Sequence, residues 1–210
     1  ASSIGAPRKI GEKEYGSGGH SEYSGPPQPK ATTRCRIVSE HGWADLVGPT
    51  VCRTLTPDEV AVVRGKLGPD PLNADADPGQ FYRAAAKSSR PIGVILMDQA
   101  AISGVGNIFR AESLYRQKID PLRPGKTLSD DELRRLWDDN KHLLTIGVRV
   151  GRIITTEQQD RPGIPETEAW PDHANYVYMR HGQKCPRCGT TIRMEEIAGR
   201  KLYWCPGCQK

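Results

Sequence analysis

The pattern of apolar positions changes texture along the chain. Up to about residue 33 almost nothing apolar recurs, and stretches such as Gly16-Ser-Gly-Gly-His20 and Gly25-Pro-Pro-Gln-Pro29 predict a disordered segment or a long surface loop over 1–33. From Arg34 the pattern alternates. Arg34 to Val38, Trp43 to Val47 and Thr50 to Leu55 predict three short strands, with Gly48-Pro49 as the break between the last two. Three short strands are marginal alone. They are expected to be the tail of a sheet whose other strands lie upstream. A chain that opens on Ala1 rather than Met carries the same expectation of a truncated domain.

Helical spacing takes over next. Thr56-Pro-Asp-Glu59 supplies an N-cap, a proline at the first helical position and an acid at the third, which predicts a helix to about Leu67. Gly68-Pro-Asp-Pro-Leu72 breaks it and marks a domain boundary. Further helices are predicted over Gln80 to Lys87 and Pro91 to Ala101. Ile102-Ser-Gly-Val-Gly106 then turns the chain into Asn107-Ile-Phe-Arg-Ala-Glu-Ser-Leu-Tyr-Arg116, with Asn107 expected as the helix cap. The free N–H groups of that turn (Gly104, Gly106) and the Asn107 amide form a candidate anion site. Taken alone, the motif reads first as a plain helix–helix turn. Ser129-Asp-Asp-Glu132 is a capping box for a long helix, with Leu133, Leu136, Leu143 and Leu144 at helical spacing and the pattern continuing toward Ile154. Residues 157–175, polar and with three prolines, predict a loop.

Composition narrows the class. With 210 residues, 36% of them hydrophobic, the chain can bury one good core or two modest ones. The net charge of +5 and a pI near 8.9 are compatible with nucleic acid without demanding it. No apolar run reaches transmembrane length.

The cysteines carry the sharpest chemistry. Cys185-Pro-Arg-Cys188 and Cys205-Pro-Gly-Cys208 are two Cys-x-x-Cys knuckles separated by the length of one β-hairpin. The hairpin is predicted from Gly189–Met194, a turn near Ala198-Gly199, and Lys201–Trp204. Four thiolates at this spacing suit one structural Zn2+ with no open position for water, hence no catalytic role. Two disulfides are the alternative. They need an oxidising compartment, and no apolar signal segment opens the chain. His173 and His181 flank the ribbon and are expected at the surface, because four Cys complete the site. Cys35 and Cys52 have no ligand spacing and are expected as reduced core thiols of an intracellular protein. From Arg180 onward Arg180, Lys184, Arg187, Arg193, Arg200, Lys201 and Lys210 face only Glu195 and Glu196. A cationic hairpin tip at Arg200-Lys201 suits a phosphate backbone, although a merely solvated basic surface has the same composition.

The order of these parts resembles the formamidopyrimidine-DNA glycosylase/endonuclease VIII family, from roughly Arg34 to Lys210. Val177-Tyr-Met-Arg-His-Gly182 leads into the ribbon, and the most specific segments are Asp98-Gln99, Ser103-Gly-Val-Gly-Asn-Ile-Phe-Arg-Ala-Glu112 and Gly199-Arg-Lys-Leu-Tyr-Trp-Cys205. Gly68–Leu72 looks like that family's junction between its β-sandwich and its helical half. The resemblance implies an α+β architecture: a remnant of a β-sandwich domain over 34–72, a helical helix-two-turn-helix DNA-binding domain over 73–175, and a zinc ribbon over 176–210. It also implies a bifunctional base-excision repair enzyme. Such an enzyme flips an oxidised base from damaged double-stranded DNA, cuts the glycosidic bond and nicks the abasic strand. The family's nucleophile is the amine of an N-terminal Pro, flanked by a proton-handling Glu and assisted by a Lys of the sheet.

Carried over residue by residue, Asn107 matches the family's phosphate-binding Asn. Arg200, beside Lys201, matches the hairpin-tip arginine that grips a phosphate and is linked to δ-elimination. Cys185, Cys188, Cys205 and Cys208 match the zinc ligands. The chain departs from the family by opening Ala1-Ser2; its Pro165-Glu166 pair is internal, and the catalytic Lys has no counterpart that can be assigned. The expectation is therefore a monomeric DNA-clamping half, in the cytoplasm, nucleoid or nucleus, with inefficient base excision, whose full-length parent is the enzyme. The competing expectations are a non-enzymatic zinc-ribbon nucleic-acid-binding protein and a ribbon used only to dock proteins.

Overall fold

The computed structural model of the protein describes residues 26–39, 42–49 and 51–210. Most of the segment predicted as disorder or loop lies outside them. The chain divides into two compact units, Ala1–Val60 and Ala61–Lys210.

In the first unit β1 (Thr33–Ser39) pairs antiparallel with β2 (Gly42–Val47), where the alternating pattern predicted strands. Arg36 binds Asp45 through two N–H···O contacts of 2.6 and 2.7 Å and lies over the Trp43 ring. The third predicted strand is absent: residues 51–55 are irregular. Among the described residues β1 and β2 pair only with each other, and residues 51–55 add no third strand to either open edge. Cys35, on β1, and Cys52, in the irregular segment after β2, are exposed, not core thiols. Thr56 and Glu59 make the reciprocal capping box at 2.8 and 3.3 Å that opens α1 (Pro57–Arg64), which stops one turn short of Leu67.

The second unit has its core among α2 (Gly79–Ala86), α3 (Ile92–Ile95), α4 (Asn107–Arg116) and α5 (Asp130–Val150). Phe81, Ile92, Leu96, Ile102, Leu114, Leu133 and Leu136 are fully buried there, removing the large apolar area that drives folding. The helix predicted over Pro91–Ala101 is a single turn. Asp98 ends it: its carboxylate accepts the Ala100 N–H, while its carbonyl accepts those of Ala101 and Ile102. Gly68 packs against this bend and gives its N–H to Gln99 O at 2.7 Å; a Cβ there would lie 2.6 Å from the Ala101 backbone.

Ser129 and Glu132 form the predicted capping box of α5. That helix ends at Gly151, with φ +70°, rather than running to Ile154, which joins a small cluster with Ala169 and Ala174. Residues 157–175 form the expected loop, with two short 3-10 turns. The chain finishes as a hairpin of β3 (Arg193–Ile197) and β4 (Arg200–Trp204). β3 starts later than predicted because Gly189 and Thr190 bond back to Cys185 and close the first cysteine knuckle. Ala111 and Tyr115 of α4 share a second core with Tyr176, Val177, Ile192 and Tyr203, which ties the ribbon to the helices.

Candidate nucleic-acid interface and metal centre

The glycine turn before α4 is held by one side chain. Gln99 accepts the Gly104 N–H on Oε1 at 3.0 Å and donates from Nε2 to Val105 O at 2.9 Å. Gly104 sits at φ +84°, where a side chain is strained. Gly106, not Asn107, occupies the N-cap position, and no side chain caps the helix. Asn107 is instead the first helical residue, and its amide is drawn to a distant hairpin. The first N–H groups of α4 therefore have no intrahelical acceptor and carry the positive end of the helix dipole. A Cβ at Gly106 would meet nothing within 4 Å, so this backbone edge is open to a ligand.

The hairpin tip reaches this edge. Ala198 (φ +51°) and Gly199 (φ +70°) form a two-residue turn with both residues left-handed, the type whose twist matches paired strands. Arg200 and Lys201 follow it and are exposed. The Lys201 carbonyl accepts Asn107 Nδ2 at 3.0 Å and Arg110 Nη2 at 3.2 Å, and Arg110 Nη2 also donates to Asn107 Oδ1. The structure thus brings Asn107 and Lys201 into contact, with Gly106 in the open turn leading to them, whereas the Gly104 N–H, expected to be free, is taken by Gln99 Oε1. Arg110 has no solvent exposure. Burial, reinforced by the nearby positive charge of Arg200, pushes it down to about 10. Sequence reasoning passed over Arg110; its one signal was the three-residue spacing from Asn107, which places both on one helix face.

At the far end of the hairpin the four knuckle thiols gather. Their Sγ atoms all lie within 4.8 Å of one another, with Cys185–Cys208 at 3.7 Å and Cys188–Cys205 at 3.4 Å. A tetrahedron of Zn–S bonds of about 2.3 Å has S···S edges of roughly 3.8 Å, so the donor set and its spacing fit zinc. Cys185 and Cys205 are buried, and the Tyr115 hydroxyl lies 3.2 Å from Cys185 Sγ. At Gly207 a Cβ would stand 2.4 Å from Thr190 Oγ1 and 3.0 Å from Cys188 Sγ, so only glycine fits that knuckle. His173 and His181 are exposed and outside this group. Arg187, within the first knuckle, lies over the stacked Tyr115 and Tyr176 rings and pairs with Asp160 at 2.7 Å. Gln209 joins Cys205 N to Ile119 O, fastening the second knuckle to the helical core.

Among the described residues, no helix is long and apolar enough to cross a membrane. Residues 67–159 match the formamidopyrimidine-DNA glycosylase H2TH domain, and residues 182–210 match the zinc finger found in FPG and IleRS. Endonuclease 8 1 of Mycobacterium tuberculosis is 44% identical over 184 residues, covering 87% of this chain and 68% of the relative. Formamidopyrimidine-DNA glycosylase of Thermus thermophilus is 39% identical over 150 residues, covering 69% of this chain and 54% of the relative. The crystal structure of the Thermus thermophilus MutM (Fpg) protein superposes with a TM-score of 0.65 at 31% identity, over 88% of this chain and 71% of that one. A Lactococcus lactis Fpg bound to DNA containing an abasic site superposes at 0.59 and 28% identity, over 74% of this chain and 57% of that one. Two matching domain families, together with a 44% identical relative of which the chain spans 68%, settle its kinship: the chain belongs to the formamidopyrimidine-DNA glycosylase/endonuclease VIII family.

Proposed function

We propose that residues 61–210 are the DNA grip of a bifunctional DNA glycosylase/AP lyase of base excision repair. It acts on oxidised bases in damaged double-stranded DNA inside the cell, as a monomer with one structural zinc. The observation that carries the reading is the bond from Asn107 to Lys201 O, which sets the uncapped N-terminus of α4 beside the cationic hairpin tip. Two phosphate-binding devices of different kinds, a helix N-terminus and an arginine fork, then face one backbone. A grip of this kind fixes register and bears the cost of extruding a base, while carrying no base specificity itself. Zinc, when bound, supplies folding energy to the ribbon and no reaction step. Cys185, Cys188, Cys205 and Cys208 would hold it.

By the resemblance, the covalent nucleophile is an N-terminal proline amine, outside residues 61–210. The proposed behaviour of these residues is tight binding of abasic duplex. The test is a binding titration with duplex DNA carrying one abasic site at several salt concentrations, with borohydride trapping beside it. Affinity should fall steeply and linearly on a log–log salt plot. Arg200→Ala should weaken binding by about tenfold with zinc content unchanged. Salt-insensitive binding, or an Arg200→Ala variant that binds as well as the parent, would overturn the grip.

A further inference from the structure

Arg110 is fully buried, yet among the described residues it forms no ion pair. Its Nε has no hydrogen-bond partner, and Nη1 reaches only Gly93 O at 3.4 Å. A guanidinium stays charged in a protein, so a buried one without a carboxylate is costly unless an anion arrives to compensate it. The side chain that it does engage is Asn107. An arginine only donates, so its contact with Asn107 forces the amide oxygen inward and the amide nitrogen toward Lys201 and the open helix end. Without that donor the amide could turn and present its oxygen, repelling a phosphate.

We propose that Arg110 is the positioning residue of the phosphate site at the start of α4: its Nη2 locks the Asn107 amide nitrogen-outward against the hairpin-tip carbonyl, and its unbalanced charge is compensated by the bound phosphate. This inference rests on the DNA-grip reading above. Arg110 touches no DNA in it and acts through Asn107 and Lys201.

A double-mutant cycle tests it, read as the Kd of the full chain for duplex DNA with one abasic site. Arg110→Met and Asn107→Ala should each lose about tenfold, and the pair should lose no more than the worse single variant, because both remove one device. A merely structural Arg110 gives additive losses, which would overturn the inference, as would an Arg110→Met variant that binds normally. Zinc content is checked on every variant. If Arg110→Met loses zinc, Arg110→Lys takes its place in the cycle. It keeps the cation, but its shorter side chain brings the ammonium short of the Nη2 position between Asn107 Oδ1 and Lys201 O, so the same non-additivity is expected, and additivity overturns the inference there too. Arg200→Ala in the wild-type background separates the two readings. Lost Arg200 dependence sinks the grip and this inference together, whereas normal Arg200 dependence with additive Arg110 losses sinks this inference alone.

Discussion

Glu112 Oε1 accepts the backbone N–H of Val177 at 2.8 Å, from the middle of α4 to the strand of chain that enters the ribbon. The same carboxylate takes the N–H groups of Tyr176 and Tyr178 and the Thr155 hydroxyl, all within 2.7 Å. Burial pushes the carboxyl up, and these four donors pull against it. Glu112→Gln replaces one acceptor by an NH2 group. Thr155 can turn its hydroxyl to Ala174 O, but the Tyr176 N–H has nowhere to turn. The variant should lose about 1–3 kcal/mol of stability, the cost of a buried donor left unsatisfied. Urea unfolding measures it, and a wild-type midpoint would show that the four contacts are dispensable.

The thiol cluster predicts a metal-dependent ribbon. Cys205→Ser should abolish stoichiometric zinc and expose Tyr203 and Trp204, whose burial depends on the closed knuckles. Structural zinc contributes on the order of 10 kcal/mol in comparable modules, more than a ribbon core this small replaces. Metal analysis and tryptophan fluorescence read the outcome, with strong chelation of the wild-type chain as the matching treatment. Full zinc retention in Cys205→Ser would exclude the four-thiolate site.

Some of this architecture is written locally, and local features were legible in the sequence. The capping box at Ser129 and Glu132 needs only four residues, and the knuckles need only their spacing. The same holds for the Ala198-Gly199 turn that presents Arg200. What failed depended on partners far along the chain. Asn107 looked like a cap because its true acceptor, Lys201 O, lies 94 residues away. Arg110 was invisible because a burial that leaves a cation unpaired has no sequence signature beyond its spacing from Asn107. The short α3 followed from Asp98 spending its carboxylate and carbonyl on the next turn, a competition that apolar periodicity does not report. That Cys35 and Cys52 are exposed is a property of tertiary structure, which the residue type alone does not report.

Gly207→Ala tests how tightly the second knuckle is built. The new methyl would overlap Thr190 Oγ1 at 2.4 Å, and both Cys188 Sγ and Thr190 Cβ at 3.0 Å, so the first knuckle must move. Overpacking of this kind costs about 1–3 kcal/mol, which should appear as zinc affinity weakened by roughly tenfold or more. Thr190→Ala in the same chain removes the nearest oxygen and should restore part of the loss. Competition with a zinc-binding dye gives both values. Unchanged affinity in the single variant would mean that the knuckles slide freely past each other.

Acid should weaken the fold through α5. Arg123 donates to both oxygens of Glu132 at 2.7 and 3.1 Å, which holds this carboxyl below its ordinary value of 4.5, and the Ser129 N–H adds to the effect. A carboxyl whose folded pKa is depressed contributes stability that is complete above its unfolded pKa and fades as pH falls through the folded one. Asp98, held down by Arg90, has the same sign. The share of the urea midpoint carried by these two ion pairs should therefore decline between about pH 5 and about pH 3, where the unfolded chain takes up protons first. Arg123→Met should lower the midpoint at neutral pH and flatten the decline, because the Glu132 carboxyl then titrates nearer its unfolded value. A variant whose pH profile runs parallel to that of the parent would show that the ion pair contributes nothing to the acid limb.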